Sequence, residues 1–295
     1  MTRSRFRIPI VAVALITLAA CAERPVGSGT GSGGTQGGSS PDEPVTYESN
    51  GFVLDDGSGS VLCLGGVNDS LPPRCDGIPL SGWDWDAVEG EDAAQGARWG
   101  AFTVTGTYDG TRFTVIDAGP PQPYPDRGPI GTPCAEPDGG WASPEASPDL
   151  SRATRDDMLA TMHAAEDEPA FSGFWVDYVV EPVGEEVGEP GGVVANVAFT
   201  GDVERHVTQI RETWGGPLCV VEFERTYHEL RRIQDGFAAD IGDESGLQTT
   251  WSSGDVTRNR VEIGVVVATE EARRAVDERY GEGAVLLVPA LMPVG

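Results

Sequence analysis

The apolar positions of this chain change their period twice. From residues 8 to 18 they run unbroken (IPIVAVALITL), between about 51 and 116 they alternate with polar residues, and beyond 154 they recur at helical spacing between short apolar runs. In the alternating region GFVL and SVLCL surround DDGSG, a Gly/Asp turn. Phe102, Val104 and Tyr108 then alternate with polar residues, Asp109-Gly110 predicts a two-residue turn, and Phe113 and Val115 alternate on the return. The expectation over residues 47–117 is a small β-rich domain, either a barrel or a sandwich.

Residues 118–149 are rich in Pro and Gly and read as an ordered loop or linker. The helical period then takes over, in an α+β domain expected over 150–295. Thr154, with Asp157 three residues on, predicts a capped helix whose apolar stripe is Met158, Leu159, Met162 and Ala165. FWVDYVV reads as a strand and EPVGEEVGEPGG as an exposed acidic loop. VVANVAFT is a strand, followed by a helix with Asp202 in the cap position and Val203, Val207, Ile210 and Trp214 on one face. After the strand PLCVVEFE, Thr226 and Glu229 form a capping box for a helix with Tyr227, Leu230, Phe237 and Ile241 inward. GLQTTWSS and RVEIGVVVAT predict two strands, TEEARRAVDERYG a helix with Ala272, Val276 and Tyr280 inward, and AVLLVPAL a last strand.

Two stretches share one pattern of strand, helix, aromatic-Gly and strand: NVAFTGDVERHVTQIRETWGGPLCVV and GVVVATEEARRAVDERYGEGAVLLV. The spacing predicts a first helix about one turn longer than the second. The fold class expected is therefore α+β: a β-rich barrel or sandwich followed by two weakly repeated strand-helix-strand units. No glycine-rich phosphate loop joins strand to helix, which argues against a nucleotide site.

The unbroken run sits behind Arg3, Arg5 and Arg7 and is too short to span a bilayer, which needs about 20 apolar residues. It reads as a secretory signal over residues 1–20. Leu18-Ala19-Ala20-Cys21 resembles the lipobox of bacterial lipoproteins, in which the cysteine is acylated and becomes the new N-terminus. Cys21 is thus the expected lipid attachment point. Residues 21–46 are Gly/Ser-rich and read as a flexible tether.

Composition narrows the chemistry. The formal charge is −27, and removal of residues 1–20 takes away three arginines, leaving about −30. That argues against nucleic acid, whose phosphates need clustered cations, and against anionic head groups. The chain contains no lysine. A G-x-x-x-x-G-K-[ST] phosphate loop, a lysine Schiff base and a Ser-Lys nucleophile are all ruled out. With Cys21 acylated, Cys63, Cys75, Cys134 and Cys219 remain as an even set and read as two disulfides. Of three pairings, a local Cys63–Cys75 bridge around LGGVNDSLPPR is expected, leaving Cys134 with Cys219.

Catalytic signals are thin. Three histidines occur; His163 and His206 read as members of solvated helix faces. His228-Glu229 begins like a zinc-protease helix, but Arg232 stands where the second histidine must be, and Glu229 is explained as a cap. No G-x-S-x-G occurs. In GWDWDAVEGED, Asp84 and Asp86 are the best metal candidates, yet Val88 and Glu89 break the calcium-loop spacing and a solvated acidic loop explains the run better. Trp83 and Trp85 read as core rather than a sugar-stacking pair. No catalytic residue, cofactor or metal is expected.

LCLGGV…LPPRC…GWDW and WGGPLC…ELRRIQ resemble stretches of uncharacterised actinobacterial secreted proteins and lipoproteins, a resemblance that carries no activity with it. The V-x-G-x-Y-D-G run from Val104 to Gly110 resembles the first hairpin of some OB-folds. NRVEIGVVV…ARRAV is similar to the pro-regions of some secreted serine proteases, although the chain has no protease domain. The reading reached is a non-enzymatic, lipid-anchored envelope protein acting as a binding or interaction module. Its expected partners are the membrane, through the N-terminal lipid, and an envelope protein; nucleic acid is not one. The alternative is a cell-wall hydrolase using Asp/Glu acid–base chemistry.

Overall fold

The computed structural model describes residues 44–123, 131–178, 192–241 and 247–294. Cys21, the signal, most of the tether, the acidic loop after FWVDYVV and the Ile241 side chain lie outside what it describes.

Six strands come first: β1 (Thr46–Asp55), β2 (Ser60–Cys63), β3 (Gly77–Ser81), β4 (Asp92–Ala94), β5 (Ala97–Tyr108) and β6 (Phe113–Gly119). β1 pairs antiparallel with β2 and β2 with β3; β3 pairs parallel with β6, β6 antiparallel with β5, and β5 with the whole length of β1. That circuit is closed. Of the two architectures expected for the alternating segment, the pairings make the barrel, closed by five strands. Val53, Leu62, Phe102, Val104 and Phe113 fill it, all fully buried. Gly106 sits at a register shift where β5 bends; a Cβ there would fall into the Thr114 carbonyl and the Phe113 ring.

The hairpin predicted from Phe102 to Val115 is β5–β6, with one correction. Tyr108 pairs with Phe113, so the loop has four residues rather than two. The Asp109 carboxylate accepts from the backbone N–H groups of Thr111 and Arg112 at 2.8 Å each, holding the wider turn. This hairpin is also the last of the barrel, not the first.

Two αββαβ units follow. The first is α1 (Arg155–Glu166), β7 (Phe171–Tyr178), β8 (Val193–Phe199), α2 (Val203–Ile210) and β9 (Leu218–Glu222). The second is α3 (Tyr227–Ile241), β10 (Thr249–Asp255), β11 (Arg260–Val265), α4 (Glu270–Tyr280) and β12 (Val285–Pro289). In each, a hairpin is extended by a third strand that returns parallel to the middle one after a helix. The repeat is therefore larger than the strand-helix-strand units expected, since each includes a preceding helix and strand. The relative helix lengths are also reversed. α2 has 8 residues and α4 has 11, because α2 unwinds into a turn that delivers Trp214 to the core.

Helix ends follow the capping rules in three cases and break them in one. Thr154 and Asp157 form a capping box, Thr226 and Glu229 form another, and the Thr269 hydroxyl accepts from the Ala272 N–H. Asp202 makes no side-chain cap and sits at φ 50°, a left-handed conformation open to Asp. On α1 the inward stripe is Met158, Thr161 and Ala165, while Leu159 faces out at 40% exposure. Thr161 takes the inward place because its hydroxyl meets the Thr213 hydroxyl at 3.0 Å.

Each unit buries one sheet face under its helices: Ala195, Val197, Phe199, Ile210 and Trp214 in the first, Val261, Ile263, Val265, Ala272 and Val276 in the second. Both disulfides pair as expected, Cys63 with Cys75 and Cys134 with Cys219, with Cα atoms 5.7 and 5.8 Å apart. Such bridges belong to an oxidising, extracytoplasmic compartment. The second bridge ties the proline-rich segment to β9, and Thr132 donates its N–H and hydroxyl to Asp177 on β7. Val266 and Leu291 are buried in the barrel core, and β13 (Met292–Pro293) pairs with β1. No helix among the described residues is long and apolar enough to cross a bilayer.

Candidate functional site

The barrel wall and the second αββαβ unit enclose a cleft of about 610 Å³, inside the usual range for small-molecule sites. One wall is β1. Tyr47 and Val53 pack into the barrel core, so the strand's period of two turns Glu48, Asn50 and Phe52 outward, into the cleft. Met292, paired beside Glu48, extends that wall, and the opposite wall is Trp251 with Val288. Val261, Ile263 and Val265 face the helices, which leaves Gly264 on the other face, directly across the ladder from Trp251. The indole lies over that glycine; a Cβ on Gly264 would fall into its five-membered ring. Trp251 is held from behind by backbone and lines the cleft in front.

The polar side of the cleft is built by Gln122, at the exit of β6. Asn50 donates its Nδ2 to the Gln122 carbonyl at 2.7 Å and accepts from the Gln122 N–H at 3.1 Å. That N–H also lies 3.2 Å from the Thr103 hydroxyl. The Gln122 side-chain Nε2 then reaches Glu48 Oε1 at 3.5 Å, the long limit of a hydrogen bond. Glu48 is the only ionisable group among the described lining residues. The arrangement offers an aromatic wall, a fixed amide and one carboxylate. Such an arrangement can bind a ligand.

No family model, no curated protein and no solved structure matches this chain.

The residues singled out from sequence lie elsewhere. Asp84 caps a single 3₁₀ turn, Trp85–Ala87, accepting from the Asp86 N–H, and both aspartates are exposed. Among the described residues no group of three or more His, Cys, Asp and Glu is placed to hold a metal. Trp83 and Trp85 pack edge-on against each other and against Phe102, closing one end of the barrel core. Arg98 lies over the Trp85 ring and pairs with Glu91 at 2.9 Å. Glu229 works as a cap: the backbone and hydroxyl of Thr226 hold its carboxyl below the ordinary glutamate value.

His206 corrects the expectation of a solvated face. It is 1% exposed, with its ring stacked on Phe199 at 3.7 Å between centroids. Nε2 lies 3.1 Å from the Arg205 guanidinium and Nδ1 has no partner. Burial first, and Arg205 second, depress its pKa, against smaller opposing pulls from Glu168 and Asp202. His163 is exposed, as expected.

Glu48, Asn50, Gln122 and Trp251 were not distinguishable from sequence, because they come together only through β1, the exit of β6 and β10. One signal existed. Trp251 and Gly264 are an aromatic and a bare backbone in adjacent predicted strands, a pair that strand register brings into contact.

Proposed function

We propose that this protein is a non-enzymatic, lipid-anchored envelope protein whose folded part is a binding module, with the cleft between the barrel and the second αββαβ unit as its binding site. The observation that carries the reading is the cleft itself: about 610 Å³, walled by Phe52 and Trp251, with Glu48 its sole described ionisable group. A preformed site with fixed polar groups binds without paying to order itself. The disulfides, which persist outside the cytoplasm, support the location. The lipid anchor rests on the lipobox resemblance at Cys21.

The test uses intact cells. A photo-crosslinking residue at Gln122 should trap an envelope component that the same residue at exposed Arg274, on α4, does not. Identical adducts from both positions would overturn the binding site. Cys21→Ser should release the protein into the medium, and unchanged membrane retention would overturn the anchor.

A further inference from the structure

We infer that the cleft takes an uncharged saccharide. This deepens the binding reading above and rests on it. The inference starts from Trp251. One face of its indole is pinned on Gly264 by the β10–β11 register, so the ring is a rigid wall. Rigid aromatic surface stacks on the C–H faces of a sugar ring with little side-chain ordering to pay for, and Phe52 adds a second aromatic surface on β1.

A sugar also needs groups that both give and take hydrogen bonds. Gln122 and Glu48 meet this need side by side. The amide offers donors and an acceptor, the carboxylate offers acceptors, and their mutual bond is long at 3.5 Å. Two neighbouring hydroxyls fit that pair better than it fits itself. Gln122 is held from its backbone by Asn50 and Thr103, so its side chain is aimed before any ligand arrives.

Charge and size choose among sugars and against the main competitor. The chain carries −27 and the described lining one carboxylate, so uronic or phosphorylated sugars are repelled. An ammonium ligand would also use a carboxylate and aromatic faces. About 610 Å³ is far more room than one ammonium head group fills, and suits a short oligosaccharide.

The experiment is a tryptophan-emission titration of the folded chain with four uncharged oligosaccharides: the tetramers of N-acetylglucosamine, maltose-linked glucose, xylose and mannose. Tetramethylammonium forms a separate arm, and envelope extract is added untreated or periodate-treated, which destroys vicinal diols. At least one tetramer should give a saturable change, and where that tetramer is of glucose, xylose or mannose, whose internal residues keep vicinal diols, periodate should abolish the effect of the extract. Trp251→Ala and Gln122→Ala should each weaken binding about tenfold or more, and Gly264→Ala should do so by displacing the ring. Trp251→Phe, followed by calorimetry, keeps the test open if the alanine variant fails to fold. A response to tetramethylammonium alone, or to extract that survives periodate while no tetramer responds, overturns the saccharide and leaves the binding reading standing. No wild-type response to any arm overturns both.

Discussion

The two αββαβ units have one topology and fill matching positions with residues of different size. Aligned on their helices, His206, Ile210 and Trp214 of the first correspond to Ala272, Val276 and Tyr280 of the second, and Phe199 to Val265. At these matched positions the first unit places a stacked ring pair and a fully buried indole; the second places smaller aliphatic residues and a half-buried Tyr280, and takes its buried aromatic, Phe237, from α3 instead. At one matched pair on the far face the sizes invert. Gly173 stands opposite Ala198 in the first hairpin and packs near Val256, whereas Trp251 stands opposite Gly264 in the second and lines the cleft. A repeated backbone fixes where side chains point, and the choice of residue decides whether a face becomes core or binding surface.

The comparison breaks most readily at the aromatic that follows each helix. Trp214→Ala removes a fully buried ring and its 2.8 Å bond to the Pro217 carbonyl, and should cost about 3–5 kcal/mol in urea unfolding. Tyr280→Ala should cost clearly less, and equal losses would show that the two cores do not differ as described. Next comes the staple that only the first unit has. Removing Cys134 and Cys219 together should cost roughly 2–4 kcal/mol. Removing Cys63 and Cys75, which close a shorter loop (12 residues of separation against 85), should cost less in the same assay.

Helix starts give a smaller contrast. Thr269→Ala removes a working cap and should cost about 1 kcal/mol, while Asp202→Ala, which removes no cap bond, should forfeit no capping energy. The finest probe is pH. Burial keeps native His206 neutral where the unfolded chain, with a pKa of about 6.5, already binds a proton. Its contribution is complete above that pH and falls as pH drops below it, levelling once the native ring is protonated. His206→Phe should remove this slope between pH 7 and 5, although Arg205, Glu168 and Asp202 still surround the position. An unchanged slope would assign it to other groups.

Much of this fold was legible in sequence. Alternation at Phe102, Val104, Phe113 and Val115 announced the barrel strands, and Thr154/Asp157 and Thr226/Glu229 announced helix starts, because these signals are local. The repeat was visible too, and held more than was taken from it. Aligning His206 with inward Ala272 would have buried that histidine, whereas reading α2 alone by its valines turned it outward. Barrel closure and the cleft were not legible. Both depend on which distant strands meet, and neither Gln122 nor Glu48 has any local mark separating it from a solvated polar residue.

The junction of β13 with β1 has a consequence for how the molecule is made. Leu291 plugs the barrel and residues 292–293 lie along its first strand. The ring of strands closes within residues 46–119, yet its core is completed by a side chain far along the chain, a contact of long sequence separation that forms slowly. Replacing Leu291 by a small residue would leave that core unfilled even with every barrel pairing intact.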